Sequence, residues 1–333
     1  MSENTFFFNS AFNLENGDVL EGFHLRYRVY NPENLHRSPV IWVIHALTGD
    51  TNVEVWWGKT FEPFLKTHTV ICVNNPASCY GSICPLSINP DTQQPYYRDF
   101  PHITTRDAAK MFDLLRLHLN ISHIHLSVGG SLGAQIGLEW ICLKPHLFEK
   151  SILIAGNAQH SAWGIAFNEA QRMAIYADKT YFEDTPDGGK TGLQAARAIA
   201  MLSYRSYPLY NQNQTDEIHK IDHFKASSYQ KYQGQKLSKR FDAYSYVALT
   251  KMMDSHNIFR NRIENPLQKT STQVTYVGID SDILFPLCEQ QFLHHITPNS
   301  DLEIIHSNYG HDAFLIEHDI VSNLIADVTQ DIF

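Results

Sequence analysis

The chain has 333 residues and lacks several features that would point to particular roles. No apolar run approaches the roughly 18 residues that a membrane-crossing helix needs, which excludes a transmembrane helix. A basic start followed by a long apolar stretch is also missing. Met1 to Leu14 holds Phe6, Phe7 and Phe8 but also the acidic Glu3, so this segment does not read as a signal peptide. Lys and Arg are scattered rather than clustered, and the formal net charge is −9. That balance leaves no electrostatic footprint for nucleic acid or an anionic membrane, so small molecules are the expected partners. Cysteine is sparse: Cys72, Cys79, Cys84, Cys142 and Cys288 are odd in number and without CxxC spacing. This excludes a disulfide framework and a structural zinc site, and it fits a reducing cytoplasm. Histidine is plentiful, at 18 residues, but its closest groups are His118, His123 and His125, and His294 with His295. Neither has carboxylates at ligand spacing, so no metal is expected. There is no internal repeat, low-complexity tract or Gly/Ser/Pro-rich linker to divide the chain.

The apolar fraction is 43%, enough for one large core. Val40–Ile44, Val70–Val73, Ile124–Val128 and Ser151–Ala155 are short apolar runs bounded by polar loops, as buried parallel strands should be. Between them lie helix-length stretches such as Thr105 to Leu119, where Ala108, Met111, Phe112 and Leu115 recur at helical spacing. Strand and helix alternate, which predicts an α/β fold whose mostly parallel central sheet is flanked by helices. From about Ser161 to Ile263 the strand pattern fades and the text turns helical and polar. Gln273–Ile279 and Leu302–Ile305 then restore strands. The expected division is a core of residues 1–160 and 264–333 with an inserted helical cap at 161–263, placed over the strand ends.

Ser131 lies in Gly129-Gly130-Ser131-Leu132-Gly133, between the strand run ending at Val128 and the helical text from Ala134 to Trp140. A serine on a tight strand-to-helix turn needs glycines around it, and the turn lifts its hydroxyl to the positive end of a helix. That is a nucleophile's position in acyl transfer. Its partners should follow in the order acid, then histidine. Asp280 and Asp282 both stand just past the strand at 273–279, and either could instead make an Asx turn. His311, in the Gly-containing loop after the last strand, is the candidate base. An oxyanion hole needs two backbone N–H donors. Leu132, next to the nucleophile, supplies one, and the loop His45-Ala46-Leu47-Thr48-Gly49 supplies the other, at Leu47.

With these residues in place the chain closely resembles the homoserine O-acetyltransferases of the α/β-hydrolase superfamily. The matching text includes His45 to Gly49, Gly129-Gly130-Ser131 with Leu138-Glu139-Trp140, Ser161 to Ala166, Gly192-Leu193 with Ala196-Arg197, Tyr229 with Gln233-Gly234, Arg240-Phe241-Asp242, and Gly310 to Leu315. The match of Ser281-Asp282 with Leu284-Phe285-Pro286 favours Asp282 over Asp280. The resemblance implies Ser131 as acyl-accepting nucleophile, His311 as base and acid, Asp282 as its partner, and Arg197 and Asp312 as the groups that grip homoserine. It also implies an α/β-hydrolase fold, acetyl-CoA as co-substrate with no permanently bound cofactor, methionine biosynthesis, and a homodimer. Arg197 sits in an otherwise uncharged helix, where a guanidinium needs an anion; an internal salt bridge would also serve, and Arg205 competes for the same role. Asp312 can bind the ammonium or cap the helix beginning at Ala313. A helix read from Lys239 to Met253 offers a face for a second copy. Succinyl transfer, serine as acceptor, or ester hydrolysis would use the same machinery. One loop departs from the family pattern: Ala77 to Ser87 lacks three of its usual glycines, and Leu132 and Ala134 replace a common methionine and glycine. These changes bear on donor and acceptor rather than on the triad.

Overall fold

A computed structural model describes residues 2–330. Its main sheet has eight strands: β1 Ser2–Phe8, β2 Phe23–Tyr30, β3 Val40–Ile44, β4 Thr69–Val73, β5 Ile124–Gly130, β6 Phe148–Ile154, β7 Gln273–Ile279 and β8 Ser300–Ile305. In space they run β1-β2-β4-β3-β5-β6-β7-β8. The strands from β4 through β8 in that order are parallel, and β1 and β2 pair antiparallel at one edge. Every residue of β3 and β4 is buried, which is why both read as unbroken apolar runs. β2 behaves differently. Its buried and half-buried residues alternate through Phe23, Leu25, Tyr27 and Val29, the period-2 pattern of a strand with one partly wet face.

The helices of eight or more residues are α1 Thr105–His118, α2 Leu132–Leu143, α3 Ala162–Tyr176, α4 Lys190–Tyr204, α5 Tyr207–Gln214, α6 Lys225–Ser238, α7 Ala243–Asp254, α8 Leu287–Ile296 and α9 His318–Gln330. A capping box between Thr104 and Asp107 starts α1. Glu139 of α2 is fully buried and held by Arg106 of α1 at 3.2 Å and by Arg262 at 2.8 Å. That pairing locks the helix following Ser131 to its neighbours.

Five helices, α3 to α7, occupy the connection between β6 and β7. The segments entering and leaving it run side by side: His160 N donates to His256 O at 3.0 Å and Ile258 N to Ala158 O at 2.9 Å. This forms a narrow neck. The reading of one helix from Lys239 to Met253 is corrected. α6 ends at Ser238, and Asp242 starts α7 by accepting from Ser245 N at 2.7 Å, so residues 239–242 are a connection.

Candidate active site

At the end of β5 the chain turns sharply. Ser131 has φ 57° and ψ −122°, a conformation that L-residues adopt only when their surroundings enforce it. Its N–H donates to Ile154 O of β6 at 2.9 Å, and its carbonyl accepts from Ala134 N and Gln135 N as α2 begins. A Cβ on Gly129 would lie 2.5 Å from Gly133 O, and one on Gly133 would collide with the Ile44 carbonyl at the end of β3. The glycines therefore permit the close approach of strand, turn and helix that creates the elbow.

The structure brings Ser131, His311 and Asp282 together from the ends of three strands. His311 Nε2 is 2.9 Å from Ser131 Oγ, and His311 Nδ1 is 2.6 Å from Asp282 Oδ2. All three residues are buried. The other oxygen of Asp282 accepts from Leu284 N at 2.8 Å and Phe285 N at 3.0 Å. One oxygen thus makes the Asx turn and the other orients the imidazole, so the two roles read from the sequence coexist. Asp280 faces away and binds His306 Nδ1 at 2.8 Å and Ser307 N at 3.1 Å. Burial disfavours a charged His311 ring, but the Asp282 carboxylate outweighs it through its charge and hydrogen bond, with help from Asp312, and the pKa rises above the ordinary 6.5. Phe285 stacks on the imidazole at 5.2 Å, and Phe314 meets it edge-on at 5.6 Å. Phe314 also abuts the elbow: a Cβ on Gly130 would lie 2.5 Å from its ring, and its carbonyl accepts from Trp57 Nε1 at 2.7 Å.

Leu47 and Leu132 are buried, and among the described residues neither backbone N–H has an acceptor. Unpaired buried donors are rare, and two beside a nucleophile can receive charge developing on a carbonyl oxygen. The loop carrying Leu47 is braced by His45, which is fully buried. Desolvation lowers its pKa to about 4, so the ring is neutral. Its Nδ1–H donates to Ala46 O at 2.7 Å and its Nε2 accepts from Asn75 N at 2.9 Å. On the outer side Arg240 donates to Thr48 O at 2.8 Å and to the Tyr80 hydroxyl, tying this loop to the segment between α6 and α7. The departing loop keeps a left-handed residue at its start even without glycine, with Ala77 at φ 72°.

Of the remaining candidates, Arg197 of α4 is half-buried and has no carboxylate partner among the described residues. Its guanidinium lies 5.1 Å from the centroid of the Tyr204 ring, whose centroid is 5.6 Å from that of His311. Arg205 and Asp312 pair with each other at 3.2 Å. Asp312 makes no side-chain cap bond to the short helix at Ala313, so its neighbourhood is electrostatic rather than capping. Arg205 is therefore engaged by a carboxylate of the protein, and Arg197 has none among the described residues. Among the described residues no three His, Cys, Asp or Glu side chains gather to hold a metal. Sequence reasoning missed Tyr204, which lies two turns beyond Arg197 on the same helix and had that spacing as its cue.

Comparisons with known proteins agree with this fold. Residues 39–318 match the family model of the α/β hydrolase fold. The chain is 45% identical over 327 residues to the homoserine O-acetyltransferase of Cyclobacterium marinum, covering 96% of this chain and 93% of the relative. The crystal structure of homoserine O-acetyltransferase from Staphylococcus aureus matches with a TM-score of 0.80 at 27% identity, over 97% of this chain and 95% of that one. Esterase E22 matches with a TM-score of 0.88 at 20% identity over 99% and 100% of the two chains, a likeness of fold alone.

Proposed function

Because the chain belongs to the homoserine O-acetyltransferase family, on an α/β-hydrolase fold, we propose that it moves an acetyl group from acetyl-CoA to the hydroxyl of L-homoserine through an acetyl-serine intermediate. The observation that carries this reading is the relay from Asp282 through His311 to the hydroxyl of Ser131. His311 Nε2 takes the proton of Ser131, and the serine oxygen bonds to the thioester carbonyl carbon. The carbonyl oxygen gains negative charge and is received by the N–H groups of Leu47 and Leu132. As the tetrahedral species collapses, the carbon–sulfur bond breaks and coenzyme A leaves with the proton from His311. Homoserine then gives its hydroxyl proton to the same nitrogen, and its oxygen attacks the acetyl-serine. The ester leaves as O-acetylhomoserine, a methionine precursor, and Ser131 regains its proton.

Arg197 is the group for the substrate carboxylate in this reading, supported by its lack of an anionic partner. Asp312 takes the ammonium, sharing it with or giving up Arg205. Residues 161–263 act as the cap that selects the substrate, joined to the core at the neck. The likeness to the family supports a homodimer, and Met173, Leu202 and Tyr207 leave apolar surface exposed on the cap helices; sedimentation would measure the oligomeric state. Five free thiols fit a cytoplasmic setting, and no described helix is long and apolar enough to cross a membrane.

Coenzyme A release tests the function, followed with homoserine, serine or water alone as acceptor and with succinyl-CoA as the rival donor. Release should depend on acetyl-CoA and homoserine together, and Ser131→Ala should lower turnover by at least ~10³-fold. Equal release without an acceptor would make the protein a hydrolase, and preference for succinyl-CoA or serine would reassign donor or acceptor.

A further inference from the structure

β7 and β8 end at the same level, where Ile279 pairs with Ile305. The last main-chain bond between the two segments runs from Asp280 N to Ile305 O at 3.2 Å. Beyond it each chain enters a loop, and each loop must deliver one member of the triad, Asp282 from the first and His311 from the second. Strand pairing no longer sets the distance between them, and side chains take over. Asp280 Oδ1 accepts from Ser307 N at 3.1 Å, and its Oδ2 lies 2.8 Å from His306 Nδ1. The Ser281 hydroxyl donates to Ser307 O and accepts from Gly310 N at 3.0 Å. Asp282 Oδ2 then meets His311 Nδ1 at 2.6 Å. Consecutive residues of the acid loop thus grip the base loop at successively later places.

The Ser281 contact bears most directly on the base. Both of its partners are main-chain groups, so its direction is fixed: a carbonyl only accepts, and an N–H only donates. Ser307 O and Gly310 N stand three residues apart, as the two ends of a β-turn do. One hydroxyl bonds both ends, so the turn that leads into His311 and the loop that carries Asp282 share a single oxygen. On its far side Gly310 is backed by the cap. Its φ is 66°, and a Cβ there would lie 2.8 Å from Ser206 N and 2.9 Å from Tyr204 O. Other ties hold the middle of the base loop: Ser307 Oγ donates to Glu317 Oε1 at 2.7 Å and accepts from Tyr309 N at 3.1 Å, and the Ser206 hydroxyl donates to Asn308 O. Among the described residues Ser281 is the side chain that takes the Gly310 N–H, one residue before the imidazole.

We propose that Ser281, supported by Asp280, is a positioning residue for the base: its hydroxyl fixes Gly310 and so sets the distance at which His311 meets both Asp282 and Ser131. It touches neither substrate nor reacting atoms and acts through His311. Asp280, the rival for the acid's place in the sequence, has a use of its own here, holding the start of the same loop. The inference deepens the acyl-transfer reading and rests on it for its kinetic arm.

That arm is coenzyme A release from acetyl-CoA with homoserine. Ser281→Ala should lower kcat by about 30-fold and leave the KM for homoserine within about 3-fold, because a displaced base slows proton transfer without disturbing the substrate's own contacts. Ser281→Thr keeps the hydroxyl and should recover most of the loss. Asp280→Ala frees Ser307 N but leaves the Ser281 bridge, and should lower kcat by about 3-fold. The second readout is the far-downfield proton resonance of the hydrogen between His311 Nδ1 and Asp282, the signature of a short charge-assisted bond. Native protein and Ser281→Thr should show it, and in Ser281→Ala it should move upfield or broaden away while circular dichroism stays native. A Ser281→Ala protein with native kcat, one whose loss falls on KM, or one that loses kcat with the resonance unmoved would overturn the proposal. The resonance reports the contact between His311 and Asp282 whatever is acylated, so a native protein that shows it and transfers no acetyl group would sink the function alone.

Discussion

The sheet and the cap hold their functional groups by different means. Ser131, Asp282, His311 and the donors at Leu47 and Leu132 sit on short loops whose ends are clamped by strands, and strands such as β3 and β4 are buried along their whole length. Their positions are written in the backbone. Arg197 rides on a cap helix, and its nearest constraint is one tyrosine ring. Two of the cap helices are thinly buried: α5 has no buried residue and α6 has three, Gly234, Leu237 and Ser238. On the proposed roles of these residues, bond-making and substrate choice are separable. Changes in the sheet loops should strike the chemical step, and changes in the cap should strike affinity.

The largest test of that division is Asp282→Asn. The amide can still accept from the Leu284 and Phe285 N–H groups, so the turn survives, but the charge that orients His311 is gone. Turnover should fall by about 10⁴-fold with native spectra. The pH profile carries a sign. His311 must be unprotonated to accept the serine proton, so native kcat/KM should rise with pH through a midpoint above 6.5. Without the carboxylate, burial prevails and the midpoint moves to lower pH; an unmoved midpoint would mean that Asp282 does not control the base.

Next in size is the cap arginine. Arg197→Ala should raise the KM for homoserine by about 30- to 100-fold, from the loss of a charge-assisted contact. The burst that reports acetyl-enzyme formation should stay within about 2-fold. Arg197→Lys should recover only part of the loss, since an ammonium does not reproduce the planar fork. A burst that collapses with Arg197 would erase the division between sheet and cap. Smallest is Asp187→Asn at the cap surface, which breaks a pair with Lys190 whose side chains are 83% and 48% exposed. Urea denaturation should move by no more than about 0.5 kcal/mol, with kinetics unchanged.

What was legible in the sequence follows the same line. β3 and β4 announced themselves because both faces are covered and nearly every position is apolar, and the elbow did so because its glycines answer a steric demand only a few residues away. β1 and β2 escaped notice because one partly wet face gives alternation rather than a run, with Arg26 and Arg28 interrupting Leu25, Tyr27 and Val29. The break at Asp242 was hidden inside text of uniform helical character, although an aspartate two residues before Tyr244 is a capping cue. The pairing of Arg205 with Asp312 was out of reach, because local text carries no record of which distant charge a side chain will meet.

The ring of Phe314 has a wider consequence. It presses on the glycine before the nucleophile and on the imidazole itself, while its carbonyl is pinned by Trp57. Nucleophile and base thus lean on one shared partition, and the gap between them is set by a wall that belongs to neither.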